Sequence, residues 1–218
     1  SSDLPSLRAL TQMRVLSPCR GHLDFRLTGL TVVFTTILID FIGFSVLIPV
    51  LPLYARALEL PPDYFDPYFT EPLWWTRNSH YAPIEPEENQ FGIAPHCDHS
   101  FITLLPISEV SCLEVMWPDG EWVPVDPVPN GIVINTGEFL ARWTNGRFLA
   151  TPHRVIMPRT DRYSMALFFN PNPETVATPL PTCVTRDRPA AFEPVTMYDY
   201  MSWYMDTNYR REGGGKQE

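Results

Sequence analysis

Residues 91–105 read F-G-I-A-P-H-C-D-H-S-F-I-T-L-L and place His96 and Asp98 two positions apart. On a β-strand, residues i and i+2 point to the same face, so one imidazole and one carboxylate can converge on a single ion. His99 stands at an odd spacing from His96 and would face away, which favours a structural or supporting role. The stretch therefore predicts a strand that carries two metal ligands.

A third ligand candidate is His153, which follows Asp98 by 55 residues, enough chain for several strands to return it to the same place. Two neutral imidazoles and one carboxylate on one face of an octahedron leave three positions open, as in Fe(II) sites that activate oxygen. Two alternatives stay open. The H-x-D pair occurs by chance in many proteins, and the same three residues could bind zinc.

Arg162 and Ser164 repeat the i, i+2 spacing nine residues beyond His153, counted to Arg162. A guanidinium and a hydroxyl would then project together from one strand face. The planar guanidinium can bind a carboxylate through two parallel hydrogen bonds, and the hydroxyl can add a third. This pair suits the distal carboxylate of 2-oxoglutarate, whose oxo-acid end would chelate iron. Taken alone, R-x-S is more often a surface pair.

The chain of 218 residues has 24 prolines, which crowd into short turns between apolar runs and favour an all-β domain. A terminal helix is predicted from Phe192 to Tyr204, where apolar and aromatic residues recur at helical spacing. β-Branched and aromatic runs bounded by Gly, Pro, Asn or Asp predict strands at Trp74–Tyr81, Phe101–Leu105, Cys112–Trp117, Gly131–Asn135, Arg154–Ile156 and Tyr163–Phe169.

Charge and cysteine content narrow the partners and the compartment. A net charge of −9 argues against nucleic acid as a partner. The four cysteines form no C-x-x-C pair, so reduced thiols in a cytoplasmic protein are expected, rather than a disulfide framework or a structural zinc site. Cys97 lies between two proposed ligands, where it could be oxidised.

Residues 58–209 resemble the isopenicillin N synthase-like family of 2-oxoglutarate- and Fe(II)-dependent dioxygenases. Besides residues 91–105, three stretches carry the resemblance in order and spacing: C-L-E-V-M-W-P-D-G-E-W-V-P-V-D-P-V-P-N-G (112–131), V-I-N-T-G-E-F-L-A-R-W-T-N-G-R-F-L-A-T-P-H-R-V (133–155) and D-R-Y-S-M-A-L-F-F-N-P (161–171). The resemblance implies a mainly β fold, a double-stranded β-helix or jelly-roll with the site inside the barrel mouth.

The same resemblance implies a role for each site residue. His96, Asp98 and His153 would hold Fe(II), while Arg162 and Ser164 would bind the 2-oxoglutarate carboxylate. Tyr81, in H-Y-A-P, matches a tyrosine that often helps to hold the co-substrate, although a core tyrosine is the alternative. Asn135 and Trp143 match framework positions.

The expected activity is oxidation of a small organic substrate, by hydroxylation or desaturation, with O₂ consumed and succinate and CO₂ released. One alternative is an iron oxidase of the isopenicillin N synthase type that does not use 2-oxoglutarate. Another is an inactive or misassembled fragment. The substrate is not readable: Trp74, Trp75, Phe101 and Phe169 could line a pocket, but aromatic residues in strands are more often core.

The chain departs from the family pattern at three short places and in one long segment. It has Gly137-Glu138 where relatives commonly have G-D, Asn130 within Pro129-Asn130-Gly131 where they have Pro-Gly, and Ser79 where an asparagine is frequent. Much of the family's N-terminal region, which supplies helices and strands around the barrel, is missing. Residues 27–55 stand in its place.

Residues 27–55 form an apolar run with Asp40 as its one charged residue, longer than the ~20 residues that cross a bilayer. They resemble the first membrane span of major facilitator superfamily transporters, at Asp40, Gly43, Pro49 and Pro52. One span cannot form an alternating-access transporter. A single membrane anchor, a gene-fusion or gene-model error, and a buried helix all stay open.

The sequence thus predicts four segments and a location. Residues 1–26 form an N-terminal segment, and residues 27–55 an apolar, transmembrane-like helix. Residues 58–209 form the dioxygenase domain, truncated on its N-terminal side, and residues 210–218 a flexible tail. The expected location is cytoplasmic, and a single-span membrane protein is the alternative.

Overall fold

A computed structural model describes residues 49–209, and every structural statement below concerns that part of the chain. The predicted segments 1–26 and 210–218 lie outside the described residues, as do residues 27–48 of the apolar run. The assignments made for them, including the resemblance to a transporter span, therefore stay predictions.

Two four-stranded antiparallel sheets form the body of the fold, which confirms the predicted mainly β jelly-roll. The strands are β1 Trp74–Tyr81, β2 Phe91–His96, β3 Ile102–Pro106, β4 Leu113–Met116, β5 Trp122–Pro124, β6 Ile132–Thr136, β7 His153–Ile156 and β8 Arg162–Phe169. The first sheet has the strand order β1-β8-β3-β6, and the second sheet has the order β2-β7-β4-β5. Two short strands, β9 Val176–Ala177 and β10 Val195–Thr196, pair with each other.

Period-two alternation gives the first sheet two different faces. In β3, Ile102 and Leu104 point into the main hydrophobic core, whereas Thr103 and Leu105 line a cavity. β8 alternates in the same way, because Leu167 is buried in that core while Ala166 and Phe168 line the cavity. The second sheet supplies the opposite wall of the cavity. The strand register therefore decides which side chains can meet a ligand.

The main core lies on the other face of the first sheet and is rich in aromatic rings. A helix, α1, covers residues 49–57, and Ala55 and the following Leu58 are fully buried in this core. The core also contains Phe65, Phe101, Phe139 and Trp143. The described end of the apolar run thus packs against the jelly-roll. Within residues 49–209, no helix combines the length and apolar character that crossing a bilayer requires.

The predicted terminal helix is present, but it begins later in the sequence than predicted. It runs over Met197–Tyr209 as α3, whereas Phe192 to Tyr204 was predicted. Pro194 and strand β10 occupy the residues before it. The Thr196 hydroxyl accepts a hydrogen bond from the backbone N–H of Asp199 and donates one to the Asp199 carboxylate. A threonine that bonds the third residue of a helix fixes its start, which explains the later boundary.

The six predicted strands are all present, each within about one residue of its predicted bounds. Strands β5, β9 and β10, of two or three residues, were missed because so few residues show no clear alternation. A short helix, α2 at Glu138–Trp143, was also missed. It buries Phe139, Leu140 and Trp143, so the prediction that Trp143 is structural is confirmed.

Gly137 allows a close approach that another residue would prevent. A Cβ built there would lie 2.0 Å from the backbone oxygen of Ser100. The neighbouring backbone is fixed in place, because the Gly137 N–H donates to Phe101 O. We expect Gly137→Ala to lower the free energy of unfolding by roughly 1–3 kcal/mol, as overpacking does. Urea denaturation measures this, and an unchanged midpoint would contradict the close packing.

Candidate metal centre

The two histidines meet across neighbouring strands of the second sheet. His96 ends β2 and pairs directly with His153, which begins β7. Their ring centroids are 4.3 Å apart. Antiparallel pairing of a strand end with a strand start therefore brings together two residues that are far apart in sequence.

Asp98 completes the cluster, but from a loop rather than from the strand that the sequence predicted. β2 ends at His96, after two register shifts, so i, i+2 alternation does not extend to Asp98. The backbone oxygen of Asp98 instead accepts a hydrogen bond from the Glu138 N–H at the start of α2. The prediction that both ligands share one strand was wrong, although the two side chains converge.

The three side chains present their ligand atoms to one another. Asp98 Oδ1 lies 3.8 Å from His96 Nε2 and 3.6 Å from His153 Nε2. All three ligand atoms fall within 4.8 Å of one another. Adjacent ligands of an octahedral ion are roughly 3 Å apart when each bond is about 2.1 Å. A divalent cation therefore fits between them with a small inward movement.

Backbone hydrogen bonds set the tautomers that metal binding needs. The Nδ1–H of His96 donates to Ala94 O at 2.9 Å, and that of His153 donates to Thr151 O at 3.1 Å. Each Nε2 therefore keeps a lone pair directed toward Asp98. Burial and the neighbouring His153 lower the pKa of His96, which favours the neutral, ligating form at neutral pH.

Asn135 holds the Asp98 carboxylate in place, whereas the sequence predicted only a framework role for Asn135. Its Nδ2 donates to Asp98 Oδ2 at 2.9 Å. Asp98 is only 4% exposed, so this bond satisfies the oxygen that does not face the histidines. Alternation along β6 could have found this residue, because Val133 and Asn135 both line the cavity.

A cavity of about 700 Å³, including its open mouth, lies between the two sheets and contains the cluster. Its walls are mostly apolar, with a few polar groups that converge on the inside. Besides the cluster and Asn135, the lining consists of Arg77, Ser79, Tyr81, Ile93, Thr103, Leu105, Leu113, Val115, Val133, Val155, Arg162, Ser164, Ala166 and Phe168.

Arg162 is a buried cation at the wall of this cavity. Its side chain belongs to a residue only 3% exposed, and among the described residues Nε and Nη1 find no hydrogen-bond partner. Leaving such groups unsatisfied is costly, so they are available to donate hydrogen bonds to a ligand in the cavity. A carboxylate is one group that could accept them.

Tyr81 and Ser164 frame that guanidinium. Tyr81 faces Arg162 across the β1–β8 pairing, and the guanidinium carbon lies 5.0 Å from the centre of its ring. Ser164 follows on the same strand face and also lines the cavity. Gly92 makes room for the tyrosine, since a Cβ there would come within 2.9 Å of its ring. The structure thus brings together all six residues singled out from the sequence.

His99 and Cys97, which flank Asp98, point elsewhere. The His99 ring stacks on Trp75 at 5.4 Å and on Tyr204 at 4.1 Å, consistent with a structural role. Cys97 is half-buried and donates weakly to Ala150 O. Burial, together with Glu138 and Asp98, raises the pKa of the Cys97 thiol, so the reactive thiolate is less populated than for a free cysteine.

The aromatic residues offered as pocket lining do not line the cavity. Phe101 and Phe169 are buried in the main core, and Trp75 stacks between His99 and Phe168. Phe168 and Tyr81 supply the aromatic surface of the cavity instead. Register explains this, because Phe169 is one residue out of phase with the cavity-facing positions of β8.

A jelly-roll that encloses two imidazoles and a carboxylate on one side of an open cavity has the features of a non-haem Fe(II) oxygenase. Residues 75–171 match the model of the 2OG-Fe(II) oxygenase superfamily. This part of the chain is therefore similar to 2-oxoglutarate- and Fe(II)-dependent oxygenases.

Several characterised proteins are similar to the chain. A 2-oxoglutarate-Fe(II) type oxidoreductase, hxnY, of Emericella nidulans is 33% identical over 174 residues, which are 78% of this chain and 50% of that protein. Gibberellin 20 oxidase 2 of Oryza sativa is 33% identical over 164 residues, covering 75% of this chain and 41% of the enzyme. The chain thus spans about half the length, or less, of these curated relatives.

Solved structures agree on the fold. A full-length Neurospora crassa protein in complex with alpha-KG and thymine is 26% identical with a TM-score of 0.75, covering 81% of this chain and 57% of that one. JOX2 in complex with 2OG, Fe and JA is also 26% identical, with a TM-score of 0.68 and coverage of 76% and 51%. The predicted fold is therefore confirmed by comparison as well as by topology.

Proposed function

We propose that this protein oxidises a small organic substrate with Fe(II), O₂ and 2-oxoglutarate, releasing succinate and CO₂. The observation that carries the proposal is the unpartnered, buried guanidinium of Arg162 in the same cavity as a two-histidine, one-carboxylate cluster. A metal cluster alone fits several chemistries. The anion site beside it favours an oxo-acid co-substrate.

His96, Asp98 and His153 would hold the iron. Their Nε2 lone pairs and the free Asp98 Oδ1 provide three ligands on one side, and the cavity lies on the other. Two imidazoles with one carboxylate suit Fe(II), and catalytic zinc sites use a similar set, so the preference for iron rests on the neighbouring Arg162 site for an oxo acid. Iron bound here supplies O₂ activation and oxidation of a substrate C–H bond.

Arg162, Ser164 and Tyr81 would hold the 2-oxoglutarate. The guanidinium, whose Nε and Nη1 have no partner among the described residues, would donate hydrogen bonds to the distal carboxylate, and the Ser164 hydroxyl would add a further bond. Tyr81 packs beside the guanidinium and limits its movement. Because these residues and the metal cluster line one cavity, they would leave the oxo-acid end of the co-substrate free to reach the metal.

The apolar walls would position the substrate and keep water from the reaction. Leu105, Val115, Val133 and Val155 surround the cluster from both sheets. Excluding water strengthens the polar contacts inside and protects reactive species from side reactions. The Neurospora crassa protein bound to thymine and JOX2 bound to JA support a small molecule as the substrate. The resemblance in residues 91–171 favours the isopenicillin N synthase-like branch of the superfamily.

A cytoplasmic location agrees with the cysteines. Cys97, Cys112 and Cys183 are free thiols in the described part of the chain, as expected in a reducing compartment. Cell fractionation tests this, and recovery of the full-length chain in the membrane fraction would favour the anchor predicted from residues 27–55.

Succinate formation tests the proposed reaction. We expect the purified chain to release succinate from 2-oxoglutarate under air when Fe(II) and ascorbate are supplied, and not under nitrogen. Titrating the metal-free protein with Fe(II) and with 2-oxoglutarate separately distinguishes the oxidase that needs no oxo acid. Iron binding without any binding of 2-oxoglutarate would overturn the proposal.

Asn135→Ala is expected to weaken Fe(II) binding by about 10–100-fold. The change removes the donor that fixes the Asp98 carboxylate, and partners of ligands typically contribute this much. Fluorescence-monitored Fe(II) titration under nitrogen measures the effect, and 2-oxoglutarate affinity at saturating metal should stay near that of the wild type. Unchanged Fe(II) affinity would show that Asn135 is framework only.

A further inference from the structure

Arg77 stands in the cavity as a second cation that the proposed chemistry does not use. It lies on β1 on the same face as Ser79 and Tyr81, and it pairs with Ala166 of β8. Its side chain lines the cavity and is exposed. Among residues 49–209 no carboxylate forms an ion pair with it, unlike Arg147, Arg154 and Arg159.

The strand register separates Arg77 from the co-substrate site. Tyr81 pairs with Arg162, and Arg77 lies four residues back along β1, roughly 13 Å away at about 3.3 Å per residue. The carbon chain of 2-oxoglutarate has four C–C bonds and spans roughly 5 Å. The two arginines are therefore attached at different points along the cavity wall, and Arg77 can contact a second ligand while Arg162 holds the oxo acid.

Arg77 nevertheless lines the same cavity as the metal cluster. Apolar residues, including Phe168 and Val115, line this cavity as well. A ligand that contacts Arg77 with one end would place an apolar body beside the cluster.

On these grounds we infer that the substrate is an organic monocarboxylic acid whose carboxylate is bound by Arg77 while its apolar part faces the metal. A single planar guanidinium matches a planar carboxylate through two parallel hydrogen bonds. The apolar lining excludes highly polar substrates such as sugars, whose hydroxyls would lack partners. This inference rests on the proposed function and specifies the substrate class of that same site.

Binding of a matched acid and amide tests the inference without turnover. The protein is loaded with Mn(II), which does not activate O₂ here, and with saturating 2-oxoglutarate, which occupies Arg162. Calorimetry then compares 4-phenylbutanoate with the neutral 4-phenylbutanamide. We expect the acid to bind about tenfold more tightly, as one charge-assisted contact contributes. Arg77→Gln should remove this preference, and Arg77→Lys should keep part of it.

Arg159→Gln is the matched control. It removes the same charge from an exposed arginine outside the cavity, paired only with Glu85 at 3.7 Å, and should leave the acid preference intact. Equal binding of acid and amide by the wild type, or a preference that survives Arg77→Gln, would overturn the inference.

A parallel comparison separates this inference from the proposed function. In Arg162→Gln protein without metal or 2-oxoglutarate, the competing arginine is absent, so any acid preference reports on Arg77 alone. If wild-type protein fails to bind 2-oxoglutarate with Mn(II) but this variant prefers the acid, the proposed reaction fails and the carboxylate site stands. If the wild type binds 2-oxoglutarate with Mn(II) but the Arg162→Gln variant does not prefer the acid, the proposed reaction stands and the carboxylate site at Arg77 fails.

Discussion

His153→Ala is expected to abolish useful Fe(II) binding and, with it, succinate formation. The variant loses one of two imidazoles whose Nε2 faces Asp98 Oδ1, leaving two protein ligands. Loss of a partner outside the coordination sphere already costs about 10–100-fold, so we expect a reduction of roughly 100-fold or more in Fe(II) affinity. Anaerobic metal titration measures this. In addition, Fe(II) should raise the unfolding temperature of the wild type but not of the variant.

His80→Ala provides the matched control, because His80 is an exposed histidine on the opposite face of β1. Its Nε2 forms an exposed hydrogen bond with the Asp161 carboxylate at 2.7 Å, and such surface contacts contribute little. We expect its Fe(II) affinity and succinate yield to match the wild type. Equal loss in both variants would show a general effect on folding, and full activity in His153→Ala would remove His153 from the metal site.

Arg162→Met should have opposite effects on ligand binding and on stability. Loss of two charge-assisted hydrogen bonds, each about 1.5 kcal/mol or more, should weaken 2-oxoglutarate binding roughly 100-fold or more. In the absence of 2-oxoglutarate, however, the free energy of unfolding should rise by roughly 1–2 kcal/mol. Methionine removes a buried charge with unsatisfied N–H groups, and this gain exceeds the lost contact with the Tyr81 ring.

Arg154→Met shows the contrast in the same protein. The Arg154 Nε donates to Glu114 at 2.6 Å, and the guanidinium also packs over Trp122. Loss of Arg154 leaves the partly buried Glu114 carboxylate without this partner, so the free energy of unfolding should fall. Urea denaturation of both variants without 2-oxoglutarate makes the comparison. A fall in Arg162→Met as large as in Arg154→Met would mean that Arg162 serves the fold rather than a ligand.

Much of the site was predictable because β8 is a regular strand. Arg162 and Ser164 fall on one face over eight uninterrupted residues, so period-two reasoning placed both in the cavity. The same reasoning applied to β1 from Tyr81 reaches Ser79 and Arg77. Arg77 was not among the predicted site residues, although it lies on the cavity face of the strand.

Other parts depend on contacts between distant segments, which local periodicity does not encode. Asp98 reaches the histidines because Glu138 holds its backbone and Asn135 its carboxylate, from α2 and β6 respectively. Asn130 shows how a family departure is accommodated. Its φ is 58°, a left-handed conformation that asparagine adopts more readily than most residues in place of glycine.

The most direct test of the account is anaerobic titration of the Fe(II)-loaded protein with 2-oxoglutarate, followed by visible absorption. Chelation of iron by an oxo acid held at Arg162 should produce a charge-transfer band that saturates at one 2-oxoglutarate per bound iron. The band should be absent in His153→Ala and should require far more 2-oxoglutarate in Arg162→Met. A wild-type protein that binds Fe(II) but shows no band at any 2-oxoglutarate concentration would contradict the central claim.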